Sequence, residues 1–364
     1  MELARRGVSV TGFDALRPPH RRGSHHGESR SIRRAYLEGT AYVPMAMRAW
    51  RLWRRLERTS GQPLLVTTGN LTIGPPDSPA VSGFVASART YGIDHREMTA
   101  AEVRRQWPQL AVPDGFSAGL ERKAGILFPE RAVTVMLSEA ERAGAVLRFA
   151  EPALAWEERT GGVRVWTPSG RYEGGRLLLC AGSRTPQLLG EEGGALQPKR
   201  VVVHWIAPPE PSHYRLGALP VNFWQIPSPG SPGGSPYAEF YALPILQPGG
   251  RLKAAAHNRL KDFDPSAAAQ EVAKEEKKKI RRFLGSFLPE LNGGDIRSDL
   301  CTYTLTPDGD FALGAAAGRD NVFLAALAGH GFKFAPVLGE ILADRLTGQE
   351  PSFDTAMFAP DRFR

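Results

Sequence analysis

A chain of 364 residues, 42% hydrophobic and 23% charged, has the composition of an ordinary folded protein and the length for two domains. It has no run approaching the ~20 apolar residues of a membrane span and no apolar leader, so no membrane partner and a cytoplasmic location are expected. The net charge of +8, with arginines at 30, 33, 34, 48, 51, 54, 55 and 58, would suit nucleic acid. These charges interleave with a core-facing apolar set, however, which favours a solvated helix face plus a few arginines serving small anions and argues against a nucleic-acid partner. The two cysteines, Cys180 and Cys301, make neither a disulfide framework nor a metal site. Cys180 closes the apolar run Leu177-Leu178-Leu179 and is expected in the core.

Glu2–Gly7 reads as the end of a helix closed by glycine, and Val8–Phe13 as a short strand with Asp14 at its end. That order is the second half of a βαβ dinucleotide-binding unit, in which the acid accepts hydrogen bonds from a ribose. The first half, a strand followed by G-x-G-x-x-G, is absent, and the expectation is a translation start placed too late. Residues 30–59 carry apolar positions at helical spacing, predicting one or two helices interrupted near Pro44. Leu64–Thr68 and Leu71–Ile73 flank Gly69-Asn70, a hairpin signal. Thr99-Ala100-Ala101-Glu102 is a capping box opening a short helix that stops at Trp107-Pro108. Residues 130–143 form an amphipathic helix ended by Gly144. Strands then follow at 146–149, 163–166 and 176–180, with a turn at Ser169-Gly170 between the last two. Residues 199–257 are strand-rich, broken by a Pro/Gly/Ser loop at 227–236, and 266–287 reads as helical. Asn321–Ala326 is a buried strand, followed by Gly329-His330-Gly331 and a helix from Phe332 to Leu346. This order predicts a mixed α/β fold, with a Rossmann-like unit of residues 1–63, 130–198 and 297–364. An antiparallel-sheet unit of 64–129 and 199–296 would be inserted into it.

Four stretches carry chemistry. Gly23-Ser24-His25-His26-Gly27-Glu28-Ser29-Arg30-Ser31-Ile32-Arg33 lies just past the ribose acid, with Arg30 and Arg33 three apart on a helix start and able to face one ligand. On its own it also reads as a polar surface loop, and no third ligand at suitable spacing supports a metal. Gly329-His330-Gly331-Phe332-Lys333 presents backbone N–H groups after a strand. Lys333 there opposes the helix dipole, which a ligand carboxylate would explain, as would a side chain that snorkels to solvent. Cys301-Thr302-Tyr303 offers a thiol beside a tyrosine, or a plain strand cysteine. Lys253 and His257 lie an even number apart on one strand face with alanines between them, and Tyr241 stands upstream; an exposed sheet face would fit equally.

Together with Pro18-Pro19-His20, Ala35-Tyr36 and Arg105-Gln106-Trp107-Pro108, these stretches resemble the monomeric sarcosine oxidase and N-methyl-tryptophan oxidase family. That family sits within the amine-oxidising flavoproteins that include D-amino acid oxidase, and the match runs from Leu3 to Phe363. The resemblance implies FAD, attached through its 8α-methyl group to Cys301, with Asp14 on the adenosine ribose. It puts His26 and Arg30 beside the flavin ring, Lys253 over it to assist oxygen, and Arg33 and Lys333 on the substrate carboxylate. Tyr241, His257, Tyr303 and Gly329 would line the substrate pocket, with Ser24, His25, Gly331 and Phe332 against the cofactor. The chain departs from the family pattern at Ser183-Arg184, where the family has tryptophan, and at Gly314.

The implied reaction is oxidation of an N-methyl amino acid such as sarcosine by oxygen, giving the amino acid, formaldehyde and hydrogen peroxide, by a monomeric enzyme. N-methyltryptophan or a cyclic imino acid is the alternative substrate. A flavin-free, non-catalytic remnant is the alternative from another class, because a pyrophosphate without the glycine turn loses its helix N-terminus. On the leading reading, an oxidase by ancestry with its start placed too late, the 364-residue form is likewise expected to be flavin-poor and unstable.

Overall fold

The structure is a computed structural model describing residues 1–228, 235–258, 260–267 and 271–363. Its largest element is a nine-stranded sheet. Along its main path run Lys261–Asp262, Gln197–Ile206, Leu252–Ala256, Tyr237–Leu243, Val221–Pro227, Asn70–Gly74, Ser117–Glu121 and His95–Thr99. Ile296–Leu305 pairs with Gln197–Ile206 along its whole length. All neighbours are antiparallel except Asn70–Gly74 against Val221–Pro227.

The alternation of side chains along these strands makes two different faces. Leu71, Ile73, Trp224, Phe240, Leu252 and Ala254 join a core completed by Ile280, Phe283 and Leu284 of the helix Lys274–Phe287. Phe240 stacks on Phe283 at 4.5 Å between ring centroids. The intervening residues, among them Phe223, Tyr241 and Lys253, face the opposite way and line the main cavity.

Smaller elements close that cavity. Thr11–Asp14 runs parallel to Val146–Phe149. Leu177–Leu179 runs parallel to Val322–Ala326, which also pairs antiparallel with Ala312–Ala315. Arg30–Ile32 and Leu65–Thr67 flank Gly125–Leu127. A three-stranded antiparallel sheet covers 155–174. The helix Val43–Ser60 buries Val43, Ala46, Ala49, Trp53 and Leu56 in a core shared with Phe334, Leu338 and Ile341 at the chain's last helix. The fold is mixed α/β, as expected.

Several local expectations are corrected. Arg30 lies on a strand, not a helix start, and the helix begins only at Val43. Pro44 therefore opens that helix, at a position whose N–H has no intrahelical partner to lose. Gly69-Asn70 does not turn a hairpin: Leu65–Thr67 and Asn70–Gly74 enter different sheets. The turn at Ser169-Gly170 leads into Gly170–Gly174, while Leu177–Leu179 pairs elsewhere. Cys180 stands just past that strand, exposed on the cavity wall instead of in the core. The last of the long helices before Cys301 starts at Lys274, not 266. Residues 229–234 of the Pro/Gly/Ser segment lie outside the described residues. The capping box at Thr99 is present with both of its hydrogen bonds, and Gly144 stands just beyond the helix end with φ +93°.

Trp53 ties the first long helix to the Lys333 turn, because its buried Nε1 donates to the Lys333 carbonyl at 2.7 Å. Trp53→Ala removes a buried ring and leaves that acceptor bare, so it should lower unfolding free energy by about 3–5 kcal/mol. Urea unfolding followed by circular dichroism measures this, and a loss below about 1 kcal/mol would contradict the packing described.

Candidate active site

A single cavity of about 2660 Å³ runs from the edge of Thr11–Asp14 and the end of Leu177–Leu179 to the face of the large sheet. Asp14, Ser24, His25, Arg30, Arg33, Tyr241, Lys253, His257, Cys301, Tyr303, Gly329, Gly331, Phe332 and Lys333 all line it. Residues separated by up to 319 positions (Asp14 to Lys333) thus meet in one space. His26 is the exception: it is buried behind the wall, and its Nε2 has no partner among the described residues.

Cations dominate the inner end. Lys253 projects from Leu252–Ala256 and is 3% exposed. Its Nζ donates to the carbonyls of Gly27 and Ser29, both at 2.7 Å. Burial, reinforced by Arg30, holds its pKa well below that of a free lysine. Arg30 donates to the carbonyls of Ser29 and Ser24 at 2.8 Å each, and its Nη2 lies 3.8 Å from the Cys301 sulfur. Cys301 is buried on Ile296–Leu305, so the thiol lies inside the wall beside a guanidinium.

Arg33 is almost fully buried, and its Nη2 contacts both oxygens of Glu38 at 3.0 and 3.2 Å. Its guanidinium also lies 5.3 Å from the Tyr36 ring centroid and 5.5 Å from that of Phe223. Burial pushes the Glu38 pKa up, but Arg33, His330 and Lys333 outweigh it and hold it at about 2. Arg33 Nε has no partner among the described residues, an orphaned donor on the cavity wall.

Lys333 is 7% exposed, so it does not snorkel. Its Nζ donates to the His330 carbonyl at 2.9 Å and to Tyr36 Oη at 3.2 Å. Tyr36 Oη meets His330 Nδ1 at 2.7 Å, and His330 Nε2 meets the Gly309 carbonyl at 3.1 Å. A carbonyl only accepts, which places the imidazole proton on Nε2 and makes Nδ1 the acceptor of the Tyr36 hydroxyl. The chain therefore has a direction: lysine to tyrosine to histidine to backbone. Burial lowers the Lys333 pKa to about 7, with Arg33 adding to the effect. Burial likewise lowers His257 and His330 to about 4, leaving both neutral. His257 Nδ1 lies 3.4 Å from Tyr303 Oη. Gly329 has φ +80°, and a Cβ there would overlap the Tyr303 ring.

At the other end, Asp14 Oδ1 accepts from the Leu16 N–H at 2.8 Å and lies 3.3 Å from His20 Nε2. His25 Nε2 accepts from the His20 N–H at 3.0 Å, and burial lowers the His25 pKa to about 4. Ser24 Oγ donates to the Thr302 carbonyl at 2.7 Å. Sequence reasoning missed Glu38, Phe223 and the polar role of Tyr36. Glu38 stands five residues beyond Arg33 in an arginine-rich run, which is the one local hint of a counterion.

The chain matches the FAD dependent oxidoreductase family (DAO) over residues 1–345, and it belongs to that family. It is 33% identical to the monomeric sarcosine oxidase of Streptomyces avermitilis, covering 99% of this chain and 93% of that protein. It is 35% identical to the N-methyl-L-tryptophan oxidase of Citrobacter koseri, covering 99% and 94%. Among solved structures the fold is shared with NikD, an unusual amino acid oxidase (TM-score 0.83, 22% identity, covering 99% and 93%). It is shared as well with L-proline dehydrogenase from P. horikoshii (TM-score 0.82, 20% identity, covering 100% and 93%). The protein is a flavin-dependent amine oxidase, and its cofactor is FAD. The site fits that group: the cavity far exceeds the ~300–1,000 Å³ of a small-ligand pocket, and it carries buried polar atoms without a partner among the described residues at Arg33 Nε and His20 Nδ1.

A simple carboxylate without an amine, such as acetate, isolates the Lys333 contribution. Lys333 carries its charge below pH about 7 and loses it above, while Glu38 and the two histidines keep one form from pH 6 upward. Acetate affinity should therefore be highest at low pH and fall roughly tenfold as pH rises from 6 to 9. Calorimetric titration reads it, and the slope should flatten in Lys333→Met. An affinity that rises with pH would contradict this assignment.

Proposed function

We propose that the protein oxidises the N-methyl group of a secondary amino acid, with sarcosine as the simplest substrate. The observation that carries this is the orphaned, buried Arg33 donor beside Lys333 in a cavity lined by Phe223, Tyr241, His257 and Tyr303. An amino-acid carboxylate would satisfy Arg33 and gain the Lys333 charge. The names of the relatives support an N-methyl amino acid over a simple amine.

When bound, FAD would supply the two-electron acceptor for the amine, with oxygen as the final oxidant. The overall balance is N-methyl amino acid plus oxygen plus water giving amino acid, formaldehyde and hydrogen peroxide. Within it, Arg33 and Lys333 fix the carboxylate end of the substrate. Tyr241, His257, Tyr303 and Gly329 shape the space for the amine, Gly329 by having no side chain in the way of Tyr303. Arg30, His26 and Lys253 set the electrostatics beside the flavin ring, and Lys253 assists oxygen. Cys301 is the proposed point of covalent attachment, with Ser24, His25, Gly331 and Phe332 against the cofactor and Asp14 on its ribose. The same reading assigns 1–63, 130–198 and 297–364 to a FAD-binding unit, and 64–129 and 199–296 to a substrate unit.

Peroxide release from the yellow, flavin-loaded protein should be seen with at least one of sarcosine, N-methyltryptophan, proline and pipecolate. Silence with all four sinks the proposal, and the responsive substrate decides between the N-methyl and cyclic imino acids. Arg33→Met should raise KM for the active substrate by about 100-fold, the order expected for a lost buried charge-assisted pair. Yellow colour should survive acid precipitation in the unaltered protein and be lost in Cys301→Ala; colour that washes away from both removes the covalent link.

A further inference from the structure

Among the described residues, Lys253 is held by backbone carbonyls alone. Both of its acceptors, the Gly27 and Ser29 carbonyls, belong to one tight turn. That turn holds a demanding backbone: Gly27 has φ +101°, and Glu28, a non-glycine, has φ +69°. The Ser29 N–H closes the turn internally by donating to the Gly27 carbonyl at 2.8 Å. The N–H groups of Gly27 and Glu28 have one acceptor between them, Glu130 Oε1, at 2.7 and 3.0 Å.

Glu130 is well placed to hold a charge. It is the second residue of the helix Pro129–Arg142, where the helix dipole favours an anion. Its backbone belongs to the helix, not to the turn, so its carboxylate reaches the turn from outside as a clamp. Outside the turn's own backbone, Glu28 gives a second tie through Trp205 Nε1 at 3.1 Å and Arg297 Nη2 at 2.8 Å, but those bonds hold a side chain, not the amides.

We propose that Glu130 is a positioning residue for Lys253: by fixing the amides of Gly27 and Glu28 it sets the carbonyls that hold the lysine amine. Its importance for oxygen rests on the role given to Lys253 above. Glu130→Gln keeps an acceptor oxygen on the same stem, whereas Glu130→Ala removes it.

The positioning is read without turnover. In Glu130→Ala, amide exchange at residues 27–29 and acetylation of Lys253 by acetic anhydride should each speed up about tenfold, with Glu130→Gln within about twofold of the unaltered protein. Unchanged exchange and acetylation in the alanine variant overturn the proposal. The consequence is read in the half-reactions of the flavin-loaded protein. Reoxidation by oxygen should slow about tenfold in Glu130→Ala while anaerobic reduction by substrate changes less than about threefold, and adding the change to Lys253→Met should have no further effect. If Lys253→Met alone leaves reoxidation unchanged, the oxygen role of Lys253 fails, and the exchange and acetylation results still decide the positioning. If Lys253→Met slows reoxidation and Glu130→Ala does not, the link from Glu130 to oxygen is overturned.

Discussion

The inner end of the cavity is governed by an excess of buried positive charge. Arg30, Arg33, Lys253 and Lys333 converge there, and among the described residues Glu38 is the carboxylate hydrogen-bonded to one of them. Removing a cation from water is costly unless its donors are met. Three of the four are met largely by neutral acceptors: backbone carbonyls for Arg30 and Lys253, a carbonyl and a phenol for Lys333. Such dipoles stabilise the cation without cancelling it, so a positive potential survives in the cavity and acts on whatever anion enters. The tight turns at Gly27–Ser29 and Gly329–Gly331 follow from this need, since carbonyls can be aimed at an ammonium group only by a backbone free to bend.

The histidines obey the same constraint in the opposite sense. His257 and His330 here, and His25 at the other end of the cavity, are all held near pKa 4, chiefly because burial penalises the charged imidazole. They serve as neutral hydrogen-bonding units, and for His25 and His330 a backbone partner fixes the tautomer. His330 shows why this matters: fixed through Nε2 on the Gly309 carbonyl, it accepts the Tyr36 hydroxyl, and that leaves the phenol oxygen facing Lys333 as an acceptor. A protonated His330 would lose that acceptor and turn the phenol around. The aromatic packing of Phe311 on His330 at 4.7 Å helps keep water, and with it the proton, away.

What could be read from the sequence divides along the range of the interaction. The capping box at Thr99 and the glycine turn before Lys333 were legible because their causes lie within a few residues. Strand pairing was not: Gly69-Asn70 has hairpin chemistry, yet Leu65–Thr67 and Asn70–Gly74 find partners more than forty residues away. Pro44 was legible as a breaker but not as an initiator, because what precedes it is a strand at Arg30–Ile32 and a 3-10 turn at Thr40–Tyr42 that runs into the helix. The candidate site residues emerged from motif resemblance, and it missed the groups that act by geometry alone. Glu38 carries no motif of its own, and its effect depends on how far Arg33 is buried, a property of the whole fold.

The Arg33–Glu38 pair shows how such a site can be stable and still open to a ligand. A forked pair would commit one whole edge of the guanidinium, two of its five N–H donors, to Glu38. Here one nitrogen, Nη2, serves both carboxylate oxygens, and Nε remains unpaired. Glu38 supplies the counter-charge that makes a buried Arg33 tolerable, and it stays ionised because its own pKa is near 2. It does so without consuming the directional capacity of the guanidinium. An incoming carboxylate therefore need not break the pair to bind. It must only outweigh the repulsion from Glu38, and Lys333, on the same cavity wall and charged below pH about 7, provides the compensating attraction. Affinity at this site is thus a balance among three charges set by the fold, and a change in any one of them alters the demands on the other two.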